Sequence, residues 1–199
     1  MFPHGRTRWV FLCVLLVLPM AAQQDAPNLN ESGKVMMAGR SVAYLIRRLP
    51  VNAFPDLPDA VVAQLEKRQC LIPQTYEAHH PENVVHASLE RAGSSDWAVL
   101  CSTNGEVSLM VFFGSAQSRP AILLTVAEKQ RLQQHDSSGV LGFNWAIDPA
   151  SPDAVHEAQS GLERKPPRVD HDALEDILID QKTVYRFFSK GTWKLLDMP

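Results

Sequence analysis

Residues 96–113 read DWAVLCSTNGEVSLMVFF, which is two apolar runs separated by Asn104 and Gly105. Asn-Gly is the dipeptide most typical of a two-residue hairpin turn, because both residues tolerate a positive φ. The runs on either side are rich in Val, Leu, Phe and Trp, which pack well on a pleated sheet. The stretch therefore predicts an antiparallel hairpin at the centre of the chain.

Further strand-like segments lie on both sides of this hairpin. They are short and apolar, and turn residues such as Gly93 and Gly114 separate them. Short connections favour antiparallel pairing, because parallel strands need long crossovers. The additional strands are predicted at 83–90, 120–126 and 140–147, with a closing hairpin at 183–188 and 192–196.

Helical patterns precede the sheet. Over 35–49 the apolar residues recur at helical spacing, and Pro50 would end that helix. Residues 58–68 open with Pro and close with Lys and Arg, which suits a second helix. Shorter helices are predicted over 127–135 and from Ser151. The predicted fold class is α+β: an antiparallel sheet of five to seven strands flanked by two N-terminal helices.

The first 22 residues have the three parts of an export signal. Arg6 and Arg8 precede an uncharged apolar run at 9–18, and the small residues Ala21 and Ala22 follow it. The run has about half of the roughly 20 residues that a spanning helix needs, so a membrane anchor is the weaker interpretation. We therefore predict an extracytoplasmic protein, periplasmic or secreted.

The predicted organisation is a signal peptide at 1–22, a flexible lead-in at 23–34 and a single α+β domain at 35–199. The chain has 199 residues and a formal net charge of −3, which becomes more negative without the leader's two arginines. An acidic balance argues against a nucleic-acid partner. No other segment is long and apolar enough to span a bilayer, so we expect no membrane span after leader cleavage.

Cys70 and Cys101 are the cysteines that remain once the leader, with Cys13, is removed. In an oxidising compartment a lone pair of cysteines most simply forms one disulfide. The alternative is two buried free thiols. A catalytic thiol is disfavoured, because neither cysteine has a histidine beside it in the sequence.

Common catalytic motifs are missing from the sequence. It has no Gly-x-Ser-x-Gly, Ser-x-x-Lys, Cys-x-x-Cys or His-Glu-x-x-His motif, and no Gly-rich phosphate loop. These absences argue against the usual secreted hydrolases, redox proteins and zinc proteases. We therefore predict no cofactor and no metal, while an enzyme with residues scattered through the chain stays open.

Residues 83–113 are similar to one blade of the integrin-type FG-GAP repeat. From His86 they read HASLERAGSSDWAVLCSTNGEVSLMVFF, in the order strand, acidic-Gly loop, Asp-aromatic-Ala-Val-Leu strand and second apolar strand. Calcium-binding blades carry several Asp or Asn oxygens in that loop. This loop offers only Glu90 and Asp96, so the resemblance does not imply calcium binding.

The whole chain also resembles a group of small exported bacterial proteins of unknown function. The resembling pieces are 57–74, 96–101 and 171–176, together with 191–193. The resemblance implies an exported, single-domain bacterial protein and brings no known activity with it.

The sharpest candidate site is the acidic cluster around His171. On a helix beginning near Asp170, His171 and Glu175 would share a face, as would Asp172 and Asp176. A histidine flanked by carboxylates can act as a general base or bind a divalent metal. The alternative is that Asp170 caps the helix and the other acids complement its positive N-terminus. The catalytic candidates are His171, Asp172 and Glu175.

Other aromatic side chains give weaker candidates. His86 is expected to be a hydrogen-bonded strand histidine, and Trp97 and Trp193 are expected to be packing residues. Trp145 lies near a turn and is expected to be the most open tryptophan, which makes it the candidate for binding.

Two functional hypotheses follow from the sequence. The favoured one is an exported, non-catalytic bacterial domain that binds a protein or a small ligand, supported by the missing motifs and the aromatic-rich strands. The alternative is a hydrolase-like enzyme that uses His171 with Asp172 or Glu175.

Overall fold

The computed structural model describes residues 29–114, 119–160 and 168–197. Within these ranges most residues lie in strands, and short 3₁₀ turns occur at Val51–Ala53 and Glu128–Arg131. In chain order the strands and α-helices are β1 (Asn30–Met37), β2 (Arg40–Pro50), α1 (Asp59–Lys67), β3 (Leu71–Gln74), β4 (Val84–Ala87), β5 (Asp96–Thr103), β6 (Glu106–Phe112), β7 (Ala121–Ala127), β8 (Leu132–Gln134), β9 (Leu141–Phe143), β10 (Trp145–Ala150), α2 (Pro152–Ser160), β11 (Ala173–Leu178), β12 (Lys182–Ser189) and β13 (Thr192–Asp197).

Nine of these strands form a large sheet in the order β7-β6-β5-β3-β2-β9-β8, with β1 paired to β2 and β4 paired to β5. Its pairings are antiparallel except that of β2 with β9, which is parallel. The predicted central hairpin is confirmed as β5 and β6. Asn104 and Gly105 at its turn have φ angles of 53° and 80°, as a two-residue primed turn requires.

The other four strands form a small antiparallel sheet in the order β10-β11-β12-β13. The predicted closing hairpin is confirmed as β12 and β13. The main core lies between the two sheets, and buried side chains from both contribute to it: Leu100, Leu109 and Phe143 from the large sheet, and Trp145, Ile147 and Leu174 from the small sheet.

Each helix covers the outer face of one sheet. Val61 and Leu65 of α1 pack in one cluster with Val99 of the large sheet. Val155 of α2 packs in another cluster with Phe187 of the small sheet. The layers are therefore α1, large sheet, small sheet and α2.

The predicted α+β fold with two N-terminal helices is wrong, because the fold is mostly β and has two sheets, the larger one mixed. Only the second of the two predicted helices forms, as α1. The segment 35–49 instead belongs to the hairpin of β1 and β2. In β2 every second side chain is buried, namely Tyr44, Ile46 and Arg48, which is the period of a strand.

Other predicted boundaries also change. Residues 30–34, predicted as lead-in, form the first part of β1, and 127–135 contains a 3₁₀ turn followed by β8 rather than an α-helix. The helix predicted near Asp170 is wrong, since the segment that follows is β11. The helix predicted from Ser151 is confirmed as α2. The predicted signal peptide at 1–22 lies outside the described residues.

Cys70 and Cys101 form the predicted disulfide, with their Cα atoms 5.3 Å apart. Both are buried, Cys70 shortly after the end of α1 and Cys101 within β5. The bond therefore ties the end of α1 to the centre of the large sheet.

The side chain of Asn83 links the two sheets. Its Nδ2 donates to the carbonyl oxygens of Pro73 at 2.7 Å and Trp145 at 3.2 Å, and its Oδ1 accepts the N–H of Ile147 at 3.1 Å. The residue is 2% exposed and has a φ of 70°, which asparagine tolerates better than most residues. One amide thus supplies backbone partners to both β3 and β10.

We expect Asn83→Gly to lower the free energy of unfolding by about 2–4 kcal/mol, because three buried backbone groups lose their partner. Asn104→Gly is the matched control. Asn104 also has a positive φ, but it is exposed in a turn, so its substitution should change stability by less than about 0.5 kcal/mol. Urea unfolding of both variants measures the difference. Equal effects would show that the Asn83 amide does not link the sheets.

Replacing both cysteines by alanine should lower the free energy of unfolding by about 3–4 kcal/mol, the chain-entropy value for a loop of this length. The bonded residues are 31 apart in sequence. Denaturant midpoints of the wild type with and without reductant, and of the double variant, give the comparison. Addition of two alkyl groups to the unreduced wild-type protein, detected by mass, would contradict the disulfide.

Candidate functional site

A groove of about 630 Å³ opens between the connection from β2 to α1 and the strands β4 and β5. Residues 53–57 of that connection form one wall. The opposite side is formed by Pro81, Val84, His86 and Trp97. The groove thus lies where a proline-containing connection crosses the end of the large sheet, and its lining is mostly apolar.

The floor of this groove is a stacked pair of rings. His86 and Trp97 are direct cross-strand partners in β4 and β5, so their side chains project from the same face. The ring centroids are 4.4 Å apart and the planes are inclined by 12°. Trp97 is 8% exposed, whereas His86 is exposed. The core therefore holds the indole in place, and the exposed imidazole stacks on it within the groove.

Two polar groups line the groove, the carboxylate of Asp56 and the imidazole of His86. His86 Nε2 lies 2.7 Å from the hydroxyl oxygen of Ser95, which is within reach for a nucleophile and its base. Within the described residues, Nδ1 of His86 has no hydrogen-bonded group to orient it.

Asp96 cannot supply the missing orienting carboxylate for His86, although it follows Ser95 in the chain. Its side chain is fully buried and accepts four hydrogen bonds, among them those from the backbone N–H groups of Leu89 and Glu90, both at 2.8 Å. Asp96 therefore holds the loop before β5, and the Ser95–His86 pair lacks the third member of a triad.

The three catalytic candidates predicted from the sequence do not converge. His171 precedes β11, and its Nδ1 lies 3.0 Å from the carbonyl oxygen of Asp172. The Asp172 carboxylate accepts the N–H of Ser88 at 2.9 Å, which links the small sheet to the loop after β4. The chain forms a β-strand from Ala173 and no helix, so the helical spacing that would bring His171 and Glu175 together is absent. The shared helix face predicted for them is wrong.

Glu175 lies on β11 with a tyrosine as its partner. Burial raises the pKa of its carboxyl group, the hydrogen bond with Tyr185 lowers it in part, and the nearby Asp148 carboxylate raises it further. Tyr185 and Asp148 are its cross-strand neighbours. Glu175 therefore interacts with its cross-strand neighbours, and no contact with His171 is seen among the described residues.

Trp145 is fully buried, so the expectation that it is the most open tryptophan is wrong. Its Nε1 donates to Oδ1 of Asp176 at 2.6 Å, and Oδ2 of the same carboxylate accepts Nε of Arg186 at 2.7 Å. Trp97 and Trp193 are packing residues as predicted, buried and half-buried respectively. Trp145 therefore cannot serve as a surface for ligands.

A cluster of ionic side chains lies on the large sheet, centred on Arg48. Its Nε donates to Glu128 at 3.0 Å and its Nη2 to Glu31 at 2.6 Å. Glu31 also accepts the hydroxyl of Tyr44 at 2.7 Å and pairs with the Lys129 ammonium at 3.2 Å. Burial alone would lower the pKa of Arg48, but the carboxylates of Glu128 and Glu31 outweigh that effect, so the pKa is raised. The cluster is internally paired and therefore structural.

The same contacts act on the Glu31 carboxyl group. Burial alone would raise its pKa, but hydrogen bonds from Arg48, Tyr44 and Lys129 outweigh that effect and lower the pKa to about 2. The folded state therefore favours ionised Glu31 more strongly than the unfolded chain does.

The groove itself was not predicted from the sequence. His86 and Trp97 were assigned separately, one as a bonded strand histidine and the other as a packing residue, and both assignments are confirmed. The sequence feature that could have indicated the groove is the proline-containing connection at 51–57, which lies over these two rings. In the described parts of the chain, no cluster of three or more histidine, cysteine or acidic side chains is placed to hold a metal ion.

Glu31→Gln should reduce stability at neutral pH and change how stability depends on pH. Because the pKa of Glu31 is lower in the folded state, ionised Glu31 stabilises the fold at pH values above the ordinary pKa of 4.5. This contribution is lost as the pH falls towards 2. The stability gap between wild type and Glu31→Gln should therefore shrink between about pH 5 and pH 2. Urea midpoints measured across this range test the trend.

Glu66→Gln is the control for this titration, because Glu66 is exposed on α1. The difference in stability between Glu66→Gln and the wild type should stay small across the same pH range. A gap for Glu31→Gln that stays constant down to pH 2 would contradict the role assigned to the ionic cluster.

Comparison with protein-family models, with curated proteins and with solved structures finds no match to this chain. The function is therefore inferred from the groove and the side chains that line it.

Proposed function

We propose that this chain is an exported, non-catalytic protein that binds a small ligand in the groove above the Trp97–His86 stack. The ligand has a flat apolar part that lies against the rings and is neutral or cationic. The single observation that carries the proposal is the aromatic floor under an open groove of small-molecule size.

The disulfide supports an extracytoplasmic location. The Cys70–Cys101 bond is of the kind that persists in oxidising compartments. It is compatible with the export signal predicted at 1–22, and we propose that the protein acts outside the cytoplasm. Within the described residues, no helix has the length and apolar character to cross a membrane.

The dimensions and lining of the groove support a small ligand. Pockets for small molecules occupy about 300–1,000 Å³ and combine apolar walls with a few polar groups. Here the apolar walls include Phe54 and Val84, and the polar groups are Asp56 and His86. The exposed Asp56 carboxylate favours a neutral or positively charged ligand over an anion.

The arrangement of side chains supports binding rather than catalysis. The Ser95–His86 pair has no orienting carboxylate within the described residues, and such a group holds the base in its productive tautomer in hydrolases. The alternative hydrolase based on His171 has weaker support, because Asp172 and Glu175 have other partners. A binding role therefore explains the groove better than a hydrolase does, because it requires no orienting carboxylate for His86.

We expect tryptamine and indole to bind the groove, and indole-3-acetate to bind more weakly because Asp56 repels its carboxylate. ¹H–¹⁵N spectra should show saturable shifts of the Trp97 and His86 side-chain signals. Phe54→Ala should weaken tryptamine binding roughly fivefold, since it removes one aromatic wall. Absence of saturable shifts with all three probes at millimolar concentration would refute the binding proposal.

Phe188→Ala is the matched control, because Phe188 is also half-buried and does not line the groove. It should leave tryptamine binding unchanged, and an equal loss in both variants would contradict the assignment of the site. Hydrolysis of p-nitrophenyl acetate that disappears in Ser95→Ala would overturn the non-catalytic part of the proposal.

A further inference from the structure

A second cavity, of about 300 Å³, lies past the C-terminal end of β4. Three separate segments enclose it: the loop at 90–91, the segment 168–171 before β11, and the turn at 188–191 between β12 and β13. It shares no residue with the groove at Trp97. The cavity is therefore an independent site whose walls come from both sheets.

His171 is a buried wall of this cavity, with 8% of its surface exposed. Its Nδ1 faces the carbonyl oxygen of Asp172 at 3.0 Å. A carbonyl can only accept a hydrogen bond, so Nδ1 carries the proton and Nε2 carries the lone pair in the neutral ring.

Nε2 of His171 has no hydrogen-bond partner within the part of the chain that the structure describes. The ring lines the cavity, so this nitrogen is the one available to a ligand there. A protonated His171 would therefore present an N–H donor to any ligand there.

The cavity is locally positive although the whole chain has a formal net charge of −3. Its charged lining residues are Arg91, Arg168 and Lys190, with Glu90 and Asp170 as the opposing acids. Arg91 is bonded to Glu90 at 3.2 Å. Arg168 and Lys190 have no ion-pair partner among the described residues. Two exposed cations are therefore available to an anion next to His171.

We propose that this cavity binds a tetrahedral oxyanion, a sulfate or phosphate group, between Nε2 of His171 and the cations of Arg168 and Lys190. Charge-assisted hydrogen bonds from guanidinium, ammonium and imidazolium groups suit the several oxygens of such an anion. Three donors from two separate segments, 168–171 and 188–191, can approach it from different directions, which one surface lysine cannot do.

A bound dianion favours the protonated form of the imidazole beside it, so sulfate should bind more tightly at lower pH. The other charged groups facing the cavity are Glu90, Arg91, Arg168, Asp170 and Lys190. Sulfate keeps its double charge between pH 6 and pH 8, so the pH dependence of its binding reports on the protein and not on the ligand.

Calorimetric titration of the full mature chain with sulfate, at constant ionic strength set by chloride, tests the proposal. The dissociation constant should be about tenfold lower at pH 6 than at pH 8, the worth of one added charge-assisted contact. Lys190→Gln and Arg168→Gln should each weaken binding at both pH values. Lys194→Gln, an exposed lysine on β13 that does not line the cavity, should leave binding unchanged.

His171→Gln should bind sulfate with the same affinity at pH 6 and pH 8, because glutamine does not titrate. If this variant fails to fold, the exposed Lys190 and Arg168 variants still decide the outcome. The proposal is overturned if sulfate shows no saturable binding over chloride, or if Lys194→Gln weakens binding as much as Lys190→Gln. It is also overturned if a folded His171→Gln keeps the tenfold pH effect.

The same titration with phosphates distinguishes two sources of the oxyanion. Equal affinity for inorganic phosphate and glycerol 3-phosphate supports a site for the free ion. Tighter binding of glycerol 3-phosphate supports a site for a phosphate carried by a larger molecule.

Discussion

The side-chain amide of Asn83 is the interaction on which the arrangement of the two sheets depends. It bonds to Pro73 in the large sheet and to Trp145 and Ile147 in the small sheet. A second link lies past the other end of β4, where Ser88 and Asp172 exchange two hydrogen bonds. The four-residue strand β4 is therefore held to the small sheet at both ends, although its ladder partner is β5.

This double attachment positions both candidate sites. Val84 and His86 of β4 line the groove, and Glu90 and Arg91 in the loop after β4 line the second cavity. A short edge strand would otherwise be the weakest part of the sheet. Because the links fix it at both ends, the rings of the groove and the loop of the cavity are held in place in the absence of a ligand, which under the two proposals would reduce the ordering cost of binding.

Local sequence signals predicted the centre of the fold, and they failed where a charged residue occupies a core-facing position of a strand. The Asn104-Gly105 hairpin and the disulfide needed only local chemistry and a cysteine count. In β2, Arg48 is buried against Glu128, which lies 80 residues further along the chain. In β11, Asp176 is buried against Arg186 and Trp145. Each charge interrupts an alternating apolar pattern. Residues 35–49 were predicted as a helix from their apolar spacing, and the cluster at His171 was placed on a helix beginning near Asp170, but both segments contain strands.

Local sequence signals also failed to predict the candidate site. The sequence identified His86 as a strand residue and Trp97 as a packing residue, but only the register of β4 and β5 makes them direct neighbours. The cluster at His171 was predicted through helical spacing, which an extended backbone removes. Long-range partners therefore determine the site, and they leave no trace in the local periodicity of the sequence.

The distribution of charge gives the two sites opposite preferences. Buried charges cost free energy unless they are paired, and Arg48, Glu128 and Asp176 all have partners. The groove carries the Asp56 carboxylate as its fixed charge, whereas the cavity carries a surplus of cations. Under the two proposals a flat neutral or cationic group would bind against β4 and an oxyanion would bind past the C-terminal end of the same strand. The two sites share no lining residue, so the two ligands would not compete for the same side chains.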